Sequence, residues 1–182
     1  MDRREFTGSI ASFFASAVGL SLFSSQLSAR QYLTVEQAQK ILFGGEVLTK
    51  TRVKLTAIQK KAIREASGIR VQRSYLFAWK ASSGGWFLLD QVIGKHEYID
   101  LAIALSNTGS VKGIEILNYR ESYGGDVRHK RWRAQFAGFK YDKKIRIDRE
   151  VMSITGATLS CRHIVEGMNR ILHTWDVALR HI

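Results

Sequence analysis

Tyr98-Ile99-Asp100-Leu101-Ala102-Ile103-Ala104-Leu105 and Val111-Lys112-Gly113-Ile114-Glu115-Ile116-Leu117-Asn118-Tyr119 read as two strands, joined by Asn107-Thr108-Gly109-Ser110. A connection this short favours antiparallel pairing, because a parallel pair needs a crossover of a dozen residues or more. Ser74 to Lys80 and Trp86 to Val92 repeat the pattern just upstream, across Ser82-Ser83-Gly84-Gly85. Strands do not alternate with long helices here, which disfavours a doubly wound sheet. No Gly-x-Gly-x-x-Gly follows any strand.

Helical spacing takes over on both sides of the strands. Thr34-Val35-Glu36-Gln37 resembles a capping box, with Val35, Ala38, Ile41 and Leu42 on one helical face and Gly44-Gly45 as the stop. A second helix holds Ile58, Ala62, Ile63 and Ala66 and ends at Gly68. Near the C-terminus, Ile164, Val165, Met168, Ile171, Leu172, Trp175 and Leu179 recur at helical spacing and read as a core stripe. The expected fold class is α+β: a mainly antiparallel sheet with N-terminal helices and a long C-terminal helix. We divide the chain into an export signal or membrane anchor (1–29), an N-terminal helical region (30–80), a main domain (81–176) and a C-terminal end (177–182).

Composition narrows the chemistry. A chain of 182 residues, 45% hydrophobic, suits one ordinary globular core. One cysteine, Cys161, excludes an internal disulfide framework and a two-thiol metal site. The five histidines lie at no paired ligand spacing, and Cys-x-x-Cys-His is absent. Cys161 has only the adjacent His163 as a candidate base, and neighbours in a helix do not face each other, so it reads as structural or as a pocket wall. A redox carrier with this composition would use flavin.

The N-terminus has the order of an export signal: Arg3-Arg4-Glu5-Phe6, a soft apolar run from Ile10 to Leu27, then Leu27-Ser28-Ala29 as a small-residue cleavage point. Arg-Arg-x-Phe resembles a twin-arginine signal; the general secretory route and a retained anchor are the competing readings. The expected location is the periplasm or the outer face of the cytoplasmic membrane. Net charge is +12 over the whole chain and stays there without residues 1–29, which hold Asp2 and Glu5 against Arg3 and Arg4. No nucleic-acid motif accompanies this charge, so a solvated basic surface is expected, with nucleic acid excluded as a partner.

Ser153-Ile154-Thr155-Gly156-Ala157-Thr158-Leu159-Ser160 is a small, hydroxyl-rich loop at the start of the last helical pattern. Such residues often cap helices. A loop of this kind also presents backbone N–H groups at a helix N-terminus, where a phosphate is stabilised. Thr155-Gly156-Ala157-Thr158 resembles the threonine flavinylation motif of the FMN-binding domain family. That family includes the G subunit of Rnf-type electron-transport complexes and the C subunit of the sodium-pumping NADH:quinone reductase. Tyr119-Arg120-Glu121-Ser122-Tyr123-Gly124-Gly125 resembles the family's Glu-Thr-Pro-Gly loop without its proline. Trp132-Arg133-Ala134-Gln135-Phe136-Ala137-Gly138 resembles the aromatic-Gln-Phe-Gly segment that follows. The departure is Met152, where the motif has aspartate; the spacing of an extended segment puts Glu150 on the same face as residue 152, and Asp148 is the other candidate substitute.

The resemblance implies FMN as cofactor, joined through its phosphate to Thr158. Thr155, Gly156, Ala157, Leu159 and Ser160 would form the phosphate loop, with Arg162 as the nearest cation. Glu121, Ser122, Gly124 and Gly125 would lie against the flavin ring. No catalytic residue is assigned. A threonine hydroxyl is a poor nucleophile unaided, so a separate flavin transferase is implied for maturation. The function expected is electron transfer between membrane-bound or exported redox partners. The alternatives are a flavin-dependent reductase with its own substrate, or a basic membrane-surface binding module that has lost flavin.

Overall fold

The computed structural model describes residues 30–182; the expected export signal or anchor, residues 1–29, lies outside them. The described chain runs β1 (Arg30–Gln31), α1 (Val35–Phe43), β2 (Leu48–Lys54), α2 (Ala57–Ser67), β3 (Tyr75–Ala81), β4 (Trp86–Ile93), β5 (Tyr98–Leu105) and β6 (Val111–Tyr119). An irregular stretch with the short α3 (Lys130–Arg133) then leads to α4 (Thr158–Val177). Six strands make one sheet in the order β1-β6-β5-β4-β3-β2, every pair antiparallel. The fold class expected from sequence is the one observed.

Alternation along β5 explains the layers. Ile99, Leu101, Ile103 and Leu105 join the core cluster beneath α4, while Ala102 and Ala104 belong to the cluster on the opposite face. These two alanines leave room for the nine-residue α1, whose Ala38 and Phe43 meet Phe87 and Leu117 there. On the first face, Ile164, Met168 and Leu172 of α4 are 1% exposed or less. Gly167 lets the helix seat closely, since a Cβ at that position would stand 2.6 Å from Val92 Cγ1. An ion pair between Arg170 and Asp90 ties α4 to β4 beside that contact.

Both N-terminal helices carry the expected capping boxes, at Thr34/Gln37 and Thr56/Gln59, and both end on a left-handed glycine, Gly44 and Gly68. Their expected apolar faces are partly corrected. Ile41 is 56% exposed and Ile58 82% exposed. Ile58 sits in the first turn of α2, ahead of Ile63, where the helix meets Leu55 and Val71. Residues 30–80, read from sequence as a helical region, also hold β1, β2 and most of β3. In β2 only Val53 is buried, as befits an outermost strand.

Candidate functional site

The helix α4 begins at Thr158, inside the hydroxyl-rich loop. Its N-cap is Ala157, which has no side-chain acceptor to offer. The first helical bond runs from Cys161 N–H to the Ala157 carbonyl at 2.9 Å, so the amides of Thr158, Leu159 and Ser160 precede it uncapped. They point out of the positive end of a 20-residue helix. Thr158 is exposed at this end, as are Thr155 and Gly156.

Ser160 faces inward and ties the loop to the end of β6. The Tyr119 hydroxyl donates to the Tyr123 carbonyl and lies 3.0 Å from Ser160 Oγ, which donates to it. Burial raises the Tyr119 pKa above its ordinary value and outweighs the opposing Ser160 bond. Gly124, at φ +84°, passes under this contact: a Cβ there would lie 2.7 Å from Tyr119 Oη and 3.2 Å from Ala157 Cβ. The space gained by lacking a side chain at Gly124 is therefore filled by the protein itself. Gly125 is less crowded, its nearest neighbour being Tyr32 Oη at 3.6 Å.

The aromatic-Gln segment grips the other side of the loop. Trp132 Nε1–H donates to the Met152 carbonyl at 2.8 Å, and Gln135 Oε1 accepts from the Met152 N–H at 2.8 Å. Two side chains three residues apart thus hold both backbone groups of residue 152, while the Met152 side chain is 58% exposed. The extended geometry expected around Glu150 is corrected. Residues 146–151 form a tight turn, with Glu150 N–H bonded to the Arg146 carbonyl at 3.1 Å. The Arg146 guanidinium holds Glu150 at 2.8 Å and lowers its pKa to about 2. Asp148 takes a left-handed φ of 59° and accepts from Ser153 N–H at 3.0 Å. Ser153, through its hydroxyl and then its N–H, keeps the Asp148 carboxyl below its usual range, with a contribution from Arg162.

Between these walls lies an open cleft of about 410 Å³. It brings together Glu121 and Ser122 with Gly156, Ala157, Thr158, Leu159 and Ser160, all expected from sequence. Lys95, His96 and Tyr123 also line it and were missed. The first two belong to the β4–β5 connection, which sequence shows only as a turn; Tyr123 lies inside a quoted motif but is 86% exposed, a position that no periodicity marks. Thr155, Gly124, Gly125 and Arg162 are nearby without forming the lining. Glu121 Oε1 accepts from the N–H groups of His96 and Glu97, at 2.5 and 2.9 Å. Burial raises its pKa, but these backbone donors win and hold the carboxyl below the usual carboxylate range. Glu121 thus fixes the β4–β5 connection as a cleft wall. His163 completes the brace, its Nδ1–H directed at the Ile93 and Gly94 carbonyls at 2.8 and 3.0 Å.

Cys161 is fully buried, and desolvation raises its thiol pKa, which fits a packing role and no nucleophile. A second hollow of about 250 Å³ lies between β3, β4 and α4. Its charged groups are already satisfied, Arg170 by Asp90 and Arg73 by Gln91. Among the described residues no group of His, Cys, Asp and Glu is placed to hold a metal.

The donor set fits FMN. Three uncapped amides and the positive helix end suit a phosphate, Lys95 adds a cation to the lining, and the cleft volume falls in the range of small-molecule sites. No curated protein matches the chain. The FMN-binding domain family model matches residues 94–173, from the β4–β5 connection through most of α4, and so takes in every wall of the cleft. Residues 94–173 are therefore an FMN-binding domain, a flavin-binding unit of the electron-transfer type whose cofactor is FMN.

Proposed function

We propose that this protein is an exported electron carrier whose FMN is joined by a phosphoester to Thr158. The observation that carries this reading is the exposed Thr158 hydroxyl on the first residue of an uncapped helix, facing the Glu121–Tyr123 loop across one cleft. In the attachment step Thr158 Oγ1 bonds to phosphorus and the pyrophosphate bond of FAD breaks. AMP leaves, and the hydroxyl proton passes to a base of a separate transferase. That enzyme supplies the base because, among the described residues, none is hydrogen-bonded to the Thr158 hydroxyl: Glu121 is occupied by backbone donors, Cys161 is buried, and His96 lines the cleft without a bond to Thr158.

Once formed, the phosphodiester keeps one negative charge, which the amides of Thr158, Leu159 and Ser160 and the helix end stabilise. Bound flavin supplies reversible uptake and release of electrons. Around it, the Tyr119–Ser160 bond and the Trp132–Gln135 clamp keep the loop from shifting, and Tyr123 offers an aromatic side at the cleft mouth. Covalent attachment suits an exported carrier, since flavin lost outside the cytoplasm is not readily replaced. The partners are then membrane-bound or exported redox proteins. Among the described residues no helix is long and apolar enough to cross a membrane.

Co-expression with a flavin transferase tests the reading. The chain should gain the mass of one FMN that survives denaturation, and Thr158→Ala should abolish the gain. Flavin still covalently held by Thr158→Ala would transfer the assignment to another hydroxyl of the loop.

A further inference from the structure

The sheet face opposite α4 is covered only in part. The helix α1 packs at one end, over Phe87, Ala102, Ala104 and Leu117. Beyond it, Tyr75, Phe77, Ile93 and Tyr98 are 45 to 50% exposed. The register sets Lys54 opposite Tyr75, Arg52 opposite Phe77 and Lys50 opposite Trp79. Residues directly opposite in an antiparallel pair share a face, so a row of cations lies along a row of aromatic rings. Lys50 sits over Trp79 at 5.8 Å, and Arg52 and Lys54 sit over Tyr75 at 5.5 and 5.6 Å. Among the described residues none of the three is in an ion pair. Two carboxylates of this face, Asp100 and Glu115, are paired with Arg120 and Arg133, and the exposed Glu97 stands at its margin beside Tyr98.

We infer that this face docks on an anionic lipid surface. Lys and Arg stems lie along apolar surface while their charged heads reach outward to phosphate, and Tyr, Trp and Phe settle at the headgroup level. The patch is a sheet face bearing cations in a line, and its Tyr75, Phe77, Ile93 and Tyr98 also rim the 250 Å³ hollow, whose charged groups are satisfied within the protein. A net charge of +12 adds long-range attraction to the same surface. The docked orientation also matters for the cleft. Ile93 and Tyr98 of the patch flank the connection whose Lys95 and His96 line the FMN cleft. Docking therefore brings that corner to the membrane, where a membrane-bound partner exchanges electrons; this consequence rests on the proposed function, whereas the docking does not.

Binding of the full chain to vesicles tests it, with and without attached flavin. The vesicles are phosphatidylcholine containing a quarter phosphatidylglycerol, and phosphatidylcholine alone. A Lys or Arg near an anionic surface contributes about fivefold in affinity, so replacing Lys50, Arg52 and Lys54 together by Thr should weaken binding to the anionic vesicles about a hundredfold. The same loss of charge at Lys140, Lys143 and Lys144 should cost far less. Trp79 is the half-buried tryptophan of the described residues, the other three being buried, so brominated lipid should quench it and Trp79→Phe should remove most of that quenching. Equal losses for the two triple variants would reduce the effect to net charge and overturn the proposal. So would binding of polyglutamate in place of the anionic vesicles, which would make the partner an acidic polypeptide.

Discussion

Replacing Gly124 by alanine should destabilise the protein by about 3 kcal/mol, and the figure can be assembled from separate causes. The left-handed backbone at φ +84° costs a non-glycine residue about 1 kcal/mol. The new Cβ would stand 2.7 Å from Tyr119 Oη and 3.2 Å from Ala157 Cβ, so the phenol must move. Moving it breaks its bonds to the Tyr123 carbonyl and to Ser160 Oγ, each contributing about 1 kcal/mol.

Two neighbouring glycines separate these causes. Gly156 has φ +83° with nothing within 4 Å, so Gly156→Ala should show the backbone cost alone, about 1 kcal/mol. Gly125 has no positive φ and an ordinary contact at 3.6 Å, so Gly125→Ala should be neutral or slightly stabilising. Urea denaturation at constant m-value gives the three numbers. In Tyr119→Phe the clashing oxygen and both its bonds are gone, and Gly124→Ala should then cost only the backbone share, about 1 kcal/mol, which is about 2 kcal/mol less than in the natural chain. If Gly124→Ala matches Gly156→Ala, or Tyr119→Phe leaves its cost unchanged, the loop is not locked through Tyr119 and the account of the cleft wall fails.

Glu150 should titrate near pH 2: the contribution of its pairing with Arg146 is present above the ordinary value of 4.5 and is lost as pH falls toward about 2. Carboxyl NMR shifts read this directly, and a midpoint at the ordinary value would show that the pair does not form in solution. Asp148→Asn should slow FMN transfer to Thr158 and Glu150→Gln should leave its rate unchanged, timed by in-gel flavin fluorescence; the opposite order would return the acidic role to Glu150.

Sequence revealed the parts of the fold whose side chains alternate against a core. Tyr98–Leu105 and Val111–Tyr119 are found at the expected bounds because both faces of each meet packed layers, α4 on one side and α1 on the other, which leaves long apolar runs between turn residues. The same holds for the C-terminal helix, whose apolar stripe is buried throughout. Leu48–Lys54 escaped notice because an outermost strand with polar and basic side chains leaves a single buried residue, Val53, to mark it. At the site, the loop and its threonine were legible, since small hydroxyl residues before an apolar period are a local pattern. Lys95 and His96 were not, because their connection is held at the cleft by Glu121 and His163, contacts spanning 25 and 70 residues.

The one departure from the family motif makes physical sense in three dimensions. Residue 152 is held by its backbone, through Trp132 and Gln135, and that grip is indifferent to its side chain. A methionine there keeps the loop in place but leaves no acid at the position. Glu150 is poorly suited to replace it, because both its oxygens are engaged by Arg146 within the turn. Asp148 is differently placed. Its left-handed φ turns the carboxylate back toward the loop, onto Ser153 N–H, and Arg162 one turn into α4 feels its charge. A strained backbone at a non-glycine residue persists only where surrounding contacts hold it, and here the Ser153 bond and the Asp148 N–H to the Val151 carbonyl do so. The acid nearest the hydroxyl-rich loop thus lies four residues upstream of position 152, carried by a turn that returns the Asp148 carboxylate to the loop.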